Sequence, residues 1–354
     1  MQHAGARQII PRLLAGSSLG DHALLVMLGG DLQELLPGTL SDGLSQRLAQ
    51  LPSDEAPACA CVQNQAAIPA HESELLAQLA PQVVANPSDT GLNIALLAGL
   101  ADLWPHVASG ERPLLRTRFY NGLMARAEAV GQRDGVPREA LVTAAELKVW
   151  NRYMPTATGE ASAAELPKLL GAATAQKAYH LLTDHLIGGM DLSVLARVLG
   201  SLAVQVADQR ADPTGLVLHP LIGAVAASRL VALAAPEDAA ALLAQLAHQV
   251  WWSANLAGLL RRSGEEPSSE SLEGAILSGA ASAARRRART LQLDDAGWWN
   301  LLTPVILGLS SGAQTAGLLR SVGAAWTLAV RSNQRLMAPD DLAAVAAILA
   351  DHSS

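Results

Sequence analysis

The sequence predicts an all-α protein, a multi-helix bundle or a stack of antiparallel helical hairpins, with about a dozen helices and no significant β-sheet. Three observations carry this expectation. Half of the 354 residues are hydrophobic while only 3% are aromatic, so the apolar half is mostly Ala, Leu, Val and Ile, and Ala and Leu are strong helix formers. β-branched runs bounded by turn residues, the mark of strands, are almost absent. Ser, Thr, Asp, Pro and Gly recur where helices start and stop.

Taken in chain order, Ser41-Asp42 opens a helix at 43–51, and Pro52 ends it. Residues 52–70 mix Pro, Ser, Asn and small side chains without periodicity and read as a loop or linker. They divide N-terminal helices in 1–51 from a main helical domain in 71–354, the alternative being one continuous domain over 1–354. Helices follow at 72–85, 90–108 and 112–132. Gly135-Val136-Pro137-Arg138-Glu139 starts another that runs to 154, since proline fits a first turn whose amides are unpaired anyway. A polar break at 156–162 precedes helices at 172–187, 191–208, 220–235, 236–262, 269–291, 294–309, 313–335 and 339–352. Asp191 and Asp294 stand where N-caps belong. Short connections imply antiparallel neighbours.

Composition also excludes functions. A net charge of −7 is unsuited to a protein whose task is neutralising phosphates, and no nucleic-acid partner is expected. Arg285, Arg286, Arg287 and Arg289 form a basic run, but Glu265, Glu266, Glu270 and Glu273 lie nearby and no aromatics interleave, so it reads as a solvated helix face. The two cysteines, Cys59 and Cys61, cannot build a disulfide framework, and a single C-x-C without a second pair assigns no metal. Arg7 and Arg12 interrupt the apolar residues of the first twenty positions, which lack the layout of a secretory signal, so a cytoplasmic protein is expected. The longest apolar run, 215–235, contains His219, Pro220 and Arg229 and fits a buried core helix better than a membrane span. The oligomeric state stays open.

No strong catalytic signature is present: no nucleophile elbow, phosphate loop, H-E-x-x-H or paired Glu-x-x-His. Histidine placement is the most informative pattern. His180, His185, His219 and His248 fall on three successive apolar segments. His180 and Asp184 are four apart and share a helix face, so Asp184 can orient His180, while His185 points elsewhere. His219 precedes Pro220, which favours an extended helix entrance facing a cavity. His248 lies four before Trp252, an imidazole beside an indole. Neutral imidazoles near pH 7 suit acid and base work; a single such His is more often a hydrogen-bonded core or surface residue, and it is their grouping that points to a pocket. With one Phe and three Tyr, the seven Trp are the bulky landmarks, either filling gaps between helices or walling a pocket.

One block is familiar. Gly215-Leu-Val-Leu-His219-Pro220-Leu221-Ile222, an Ala-rich helix, then Pro236 through His248-Gln249-Val250-Trp251-Trp252, resembles the His-Pro-Leu-Ile block of the questin oxidase-like family. Asp21-His22 is similar to that family's early Asn-His segment, and His180-Leu181-Leu182-Thr183-Asp184-His185 to its His-x-x-Thr-x-x-His segment. The resemblance implies an all-helical oxidoreductase acting on an aromatic, polyketide-like substrate, with His22, His180, His185 and His219 near the site. No nicotinamide or flavin fingerprint accompanies it, so the cofactor is unknown.

The expected function is therefore an oxidoreductase-like, monooxygenase-like enzyme acting on a planar small molecule in a His- and Trp-lined pocket between helices. In this reading His219 and His180, with His185, are acid, base or ligand groups and Asp184 orients His180. His22, His248, Trp251, Trp252, Trp298 and Trp299 contact the substrate. The alternative is a non-catalytic helical scaffold that binds a protein partner through an apolar groove. Convergence of His180, His219 and His248 on one pocket favours the enzyme, and outward-facing histidines favour the scaffold.

Overall fold

The structure, a computed structural model, describes residues 67–86, 90–107, 165–211, 218–255, 260–261 and 271–291, with scattered positions between 109 and 123 and at 301, 305, 343, 346, 347, 349 and 350. These residues are helical almost throughout, in ten helices. In order they are α1 (Glu72–Ala85), α2 (Thr90–Leu103), a 3-10 turn (Trp104–His106), a second 3-10 turn (Leu166–Gly171), α3 (Ala175–Ile187), α4 (Leu192–Gln209), α5 (Leu218–Leu230), α6 (Pro236–Asn255), α7 (Leu272–Leu277) and α8 (Ala281–Thr290). The all-α expectation holds for them. The one strand pairing among the described residues is a two-residue antiparallel ladder of β1 (Arg210–Ala211) with β2 (Leu260–Arg261), in which Arg210 sits opposite Arg261.

Local chemistry explains the boundaries. α1 spans the residues its sequence pattern predicts, with Pro81 accommodated inside it. Asp191 is the expected cap: its Oδ1 accepts from the amides of Ser193 at 2.7 Å and Val194 at 3.2 Å. Several predicted helices are cut short; that expected at 220–235 ends at Leu230, and that expected at 172–187 starts at Ala175. The segment 90–108 changes from α-helix to a 3-10 turn at Trp104, since Pro105 offers no amide to continue the ladder. The segment 269–291 divides into α7 and α8 because Gly279 adopts φ 72° between them, a left-handed turn that glycine permits. The segment 236–262 leaves helix after Asn255, and Leu260–Arg261 pairs as a strand instead. Elements predicted within 1–66, 124–164 and 306–342 lie outside the described residues. No helix among the described residues is long and apolar enough to cross a membrane.

α5 is the axis of the described core. Every residue from 220 to 227 is buried, and the helix packs against α2, α4 and α6. α1 covers α2 and α6, while α3 packs chiefly against α6 and the second 3-10 turn. Burial on all sides requires small residues where backbones cross. A Cβ on Gly91 of α2 would stand 1.9 Å from the His219 carbonyl oxygen, and one on Gly223 of α5 would stand 2.5 Å from the Gly91 Cα and 2.9 Å from Leu246 Cδ1. The Gly91 amide, one of the unpaired donors at the start of α2, donates to the buried Oε1 of Gln249 on α6. Three helices therefore meet at one glycine.

Trp104 shows the gap-filling use of indole. It is fully buried, its Nε1 donates to the Pro69 carbonyl at 3.0 Å, and the Arg112 guanidinium lies 5.4 Å over its ring. The start of the described chain is thereby pinned to the end of α2.

Gly91→Ala tests the crossing, because helix propensity alone makes Ala better than Gly by about 1 kcal/mol. The collision with the His219 carbonyl reverses that sign. Chemical denaturation is expected to show a loss of about 3 kcal/mol, and a stability gain would remove the close approach.

Candidate functional site

The site is built on α3 and α6. α3 starts at Thr174, whose Oγ1 accepts from the Lys177 amide at 3.2 Å. It ends where Gly189 takes φ 79°, with the Gly189 amide bonded to Leu186 and the Met190 amide to His185, the paired closure of a Schellman turn. Between these ends Ala178, Tyr179, Leu182, Thr183 and Leu186 form the buried face. α6 begins with Pro236, followed by Glu237 and Asp238, whose charges suit a helix N-terminus. From 242 to 250 every residue of α6 is buried, with His248 near its centre.

Three contacts fix how α3 and α6 lie together. The Tyr179 and His248 rings stack with centroids 5.1 Å apart and planes 13° from parallel. Trp251 Nε1 donates to the Ala172 carbonyl at 2.9 Å, and Asn255 Nδ2 donates to the Leu170 carbonyl at 3.2 Å. Moving toward the C-terminus of α6 moves toward the N-terminal side of α3, so the two run antiparallel. Trp251 completes a column of rings, 5.8 Å from His248 and tilted by 35°.

Electrostatically the seam is neutral. Burial pushes the His248 imidazole down from 6.5 to about 4, which leaves it uncharged at neutral pH, and burial also raises the Tyr179 hydroxyl above its ordinary value. Among the described residues, His248 Nε2, Tyr179 Oη, Thr183 Oγ1 and Gln245 Nε2 are buried without a hydrogen-bond partner. Such atoms are rare in native interiors and call for an occupant or a role.

The structure distributes the sequence-predicted residues unevenly. His180 and Asp184 share a face of α3, as their spacing requires, but that face is exposed. His180 therefore looks outward while its neighbour Tyr179 looks inward. His185 is half-buried, and its carbonyl closes the turn after α3. His219 is half-buried within the first turn of α5, so the extended entrance expected before Pro220 is instead helical, with proline tolerated where no amide donor is needed. His248 lies in the seam, and the indole beside it is Trp251, three residues on, while Trp252 is half-buried. His22, Trp298 and Trp299 lie outside the described residues.

Tyr179, Thr183 and Gln245 escape the sequence reading. Their signal was polarity on an apolar stripe: Tyr179 and Thr183 are four apart, and Gln245 interrupts an Ala- and Leu-rich run. No group of three His, Cys, Asp or Glu side chains among the described residues is placed to hold a metal ion. Comparison with known protein families, with characterised proteins and with solved structures finds no match.

Two measurements check this seam. Because the folded pKa of His248 lies below its unfolded value, the unfolded chain binds the extra proton. The stability His248 contributes is then fully present above pH 6.5 and is lost as pH falls toward 4, by up to about 3 kcal/mol. Denaturation across this range is expected to give a steeper pH slope for the native protein than for His248→Phe; equal slopes would mean an imidazole open to water. Thr183→Val removes a buried hydroxyl that lacks a partner and is expected to raise stability by about 1 kcal/mol in the ligand-free protein. A comparable loss would mean that the hydroxyl is satisfied.

Proposed function

We propose that this chain binds a planar small molecule at the seam between α3 and α6, with neutral His248 as the group that recognises it. The observation that carries the reading is the column of rings Tyr179, His248 and Trp251, on the same two helices as four buried polar atoms without a hydrogen-bond partner among the described residues. A buried neutral imidazole supplies one nitrogen that donates and one that accepts. Flanking aromatic faces favour a flat ligand. The reading keeps the His- and Trp-lined inter-helix site expected from the sequence and centres it on His248, because His180 and Asp184 face outward. Oxidation as the reaction class rests on the resemblance of the His219-Pro220-Leu221-Ile222 block to the questin oxidase-like family.

The second reading, a non-catalytic scaffold, draws on the exposure of His180 and Asp184 and on the tight crossing at Gly91 and Gly223. The two readings separate on one set of variants. His248→Phe keeps a ring in the stack and removes Nε2. Native mass spectrometry and tryptophan emission, with 2-naphthol as the probe, are expected to show binding that weakens about tenfold in His248→Phe, the worth of one hydrogen bond to a buried group. Circular dichroism should stay unchanged. His219→Ala is expected to leave binding intact. Loss in His219→Ala with His248→Phe silent would move the site to α5, and no binding to the native protein would favour the scaffold.

A further inference from the structure

The partnerless atoms of the seam are not scattered. From the Tyr179–His248 stack, Thr183 is four residues onward on α3 and Gln245 is three residues back on α6. In an antiparallel pair these steps run in the same direction, about 6 Å along one helix and about 4.5 Å along the other, so the two residues come level. Both are rotated toward the same edge of the interface, Thr183 by about 40° and Gln245 by about 60° at 100° per residue. Trp251 and Ala172 close the opposite end of the stack. The seam thus carries two adjoining polar steps: Tyr179 Oη with His248 Nε2, then Thr183 Oγ1 with Gln245 Nε2. All four side chains are more than nine-tenths buried, at 3%, 8%, 7% and 1% exposure, and all four atoms lack a partner among the described residues.

We propose that this double step recognises the edge of a neutral lactam, a flat ring carrying a carbonyl beside an N–H. This rests on the reading of the seam as a small-molecule site and names the ligand's chemistry. Gln245 Nε2 only donates, so the ligand must present an acceptor to it. The Thr183 hydroxyl at the same level can accept, which suits an N–H adjacent to that carbonyl. Flatness follows from the neighbouring step, whose rings lie within 13° of parallel. Neutrality follows from the absence of any charged side chain among the four, since an ion buried there would lose its hydration without compensation.

The test uses the full chain and three probes: 2-pyridone as a neutral lactam, toluene as a flat molecule without hydrogen-bonding groups, and benzoate as an anion. Binding is read by ligand-observed NMR and calorimetry. The double variant Thr183→Val with Gln245→Leu replaces both polar groups by near-isosteric apolar ones and is expected to fold, confirmed by circular dichroism; Thr183→Val alone is the fallback. The expected result is that 2-pyridone binds the native protein at least tenfold more tightly than benzoate does. Its affinity falls at least tenfold in the double variant while that of toluene is unchanged or higher. Unchanged 2-pyridone affinity in the double variant overturns the lactam assignment, as does benzoate binding equal to that of 2-pyridone. Toluene binding that is sensitive to His248→Phe, with 2-pyridone no better, overturns the lactam alone and leaves the small-molecule reading standing. Binding of no probe overturns both.

Discussion

The arrangement depends on one close approach, where Gly91 of α2 meets the backbone of α5. A helix buried on every side, as α5 is, can sit at the centre only if its neighbours come within backbone distance, and the absence of a Cβ at Gly91 and Gly223 permits this. The bond from the Gly91 amide to Gln249 then brings α6 into the same junction. Gln249 and His248 are consecutive, so their side chains leave α6 about 100° apart. Holding Gln249 against α2 therefore aims His248 at α3. The position of the ring column is a consequence of how three helices cross some distance away.

The seam differs from the rest of the core in chemistry. Elsewhere the buried residues are mostly Leu, Ala, Val and Ile, whose contacts are non-directional and tolerate small shifts, with a few buried polar groups such as Asn93 and Gln249 among them. Where α3 meets α6, the polar side chains of Tyr179, Thr183, Gln245 and His248 are buried beside a half-buried indole, and directional groups tolerate little displacement. A site that recognises a ligand needs such groups held without charge, because an unpaired buried ion would neutralise itself instead. Burial does this for His248 and Tyr179 together. His180 lies on the exposed face of α3 although it is adjacent to Tyr179 in sequence.

Helical character was legible because it is local: Ala and Leu content, the Asp191 cap and the Pro and Gly punctuation act within a few residues. α1 could be bounded from sequence for this reason. The break between α7 and α8 was not, since Gly279 sits among Ala and Ser and only its positive φ reveals a turn. For the site, sequence spacing placed His180 and Asp184 on one face but could not say which way the face looks. That depends on the register set by Trp251 with Ala172 and Asn255 with Leu170, pairs 79 and 85 residues apart. Thr183 and Gln245 become neighbours only through that register. No periodicity within either helix contains it.

The bond between Gly91 and Gln249 spans 158 residues. A chain made at 5–20 residues per second would wait roughly 8–30 s between the emergence of α2 and that of its capping side chain. Until α5 and then α6 have been made, the apolar faces of α1 and α2 have neither to cover them. The core around α5 is thus completed only after the first two helices have waited with those faces uncovered.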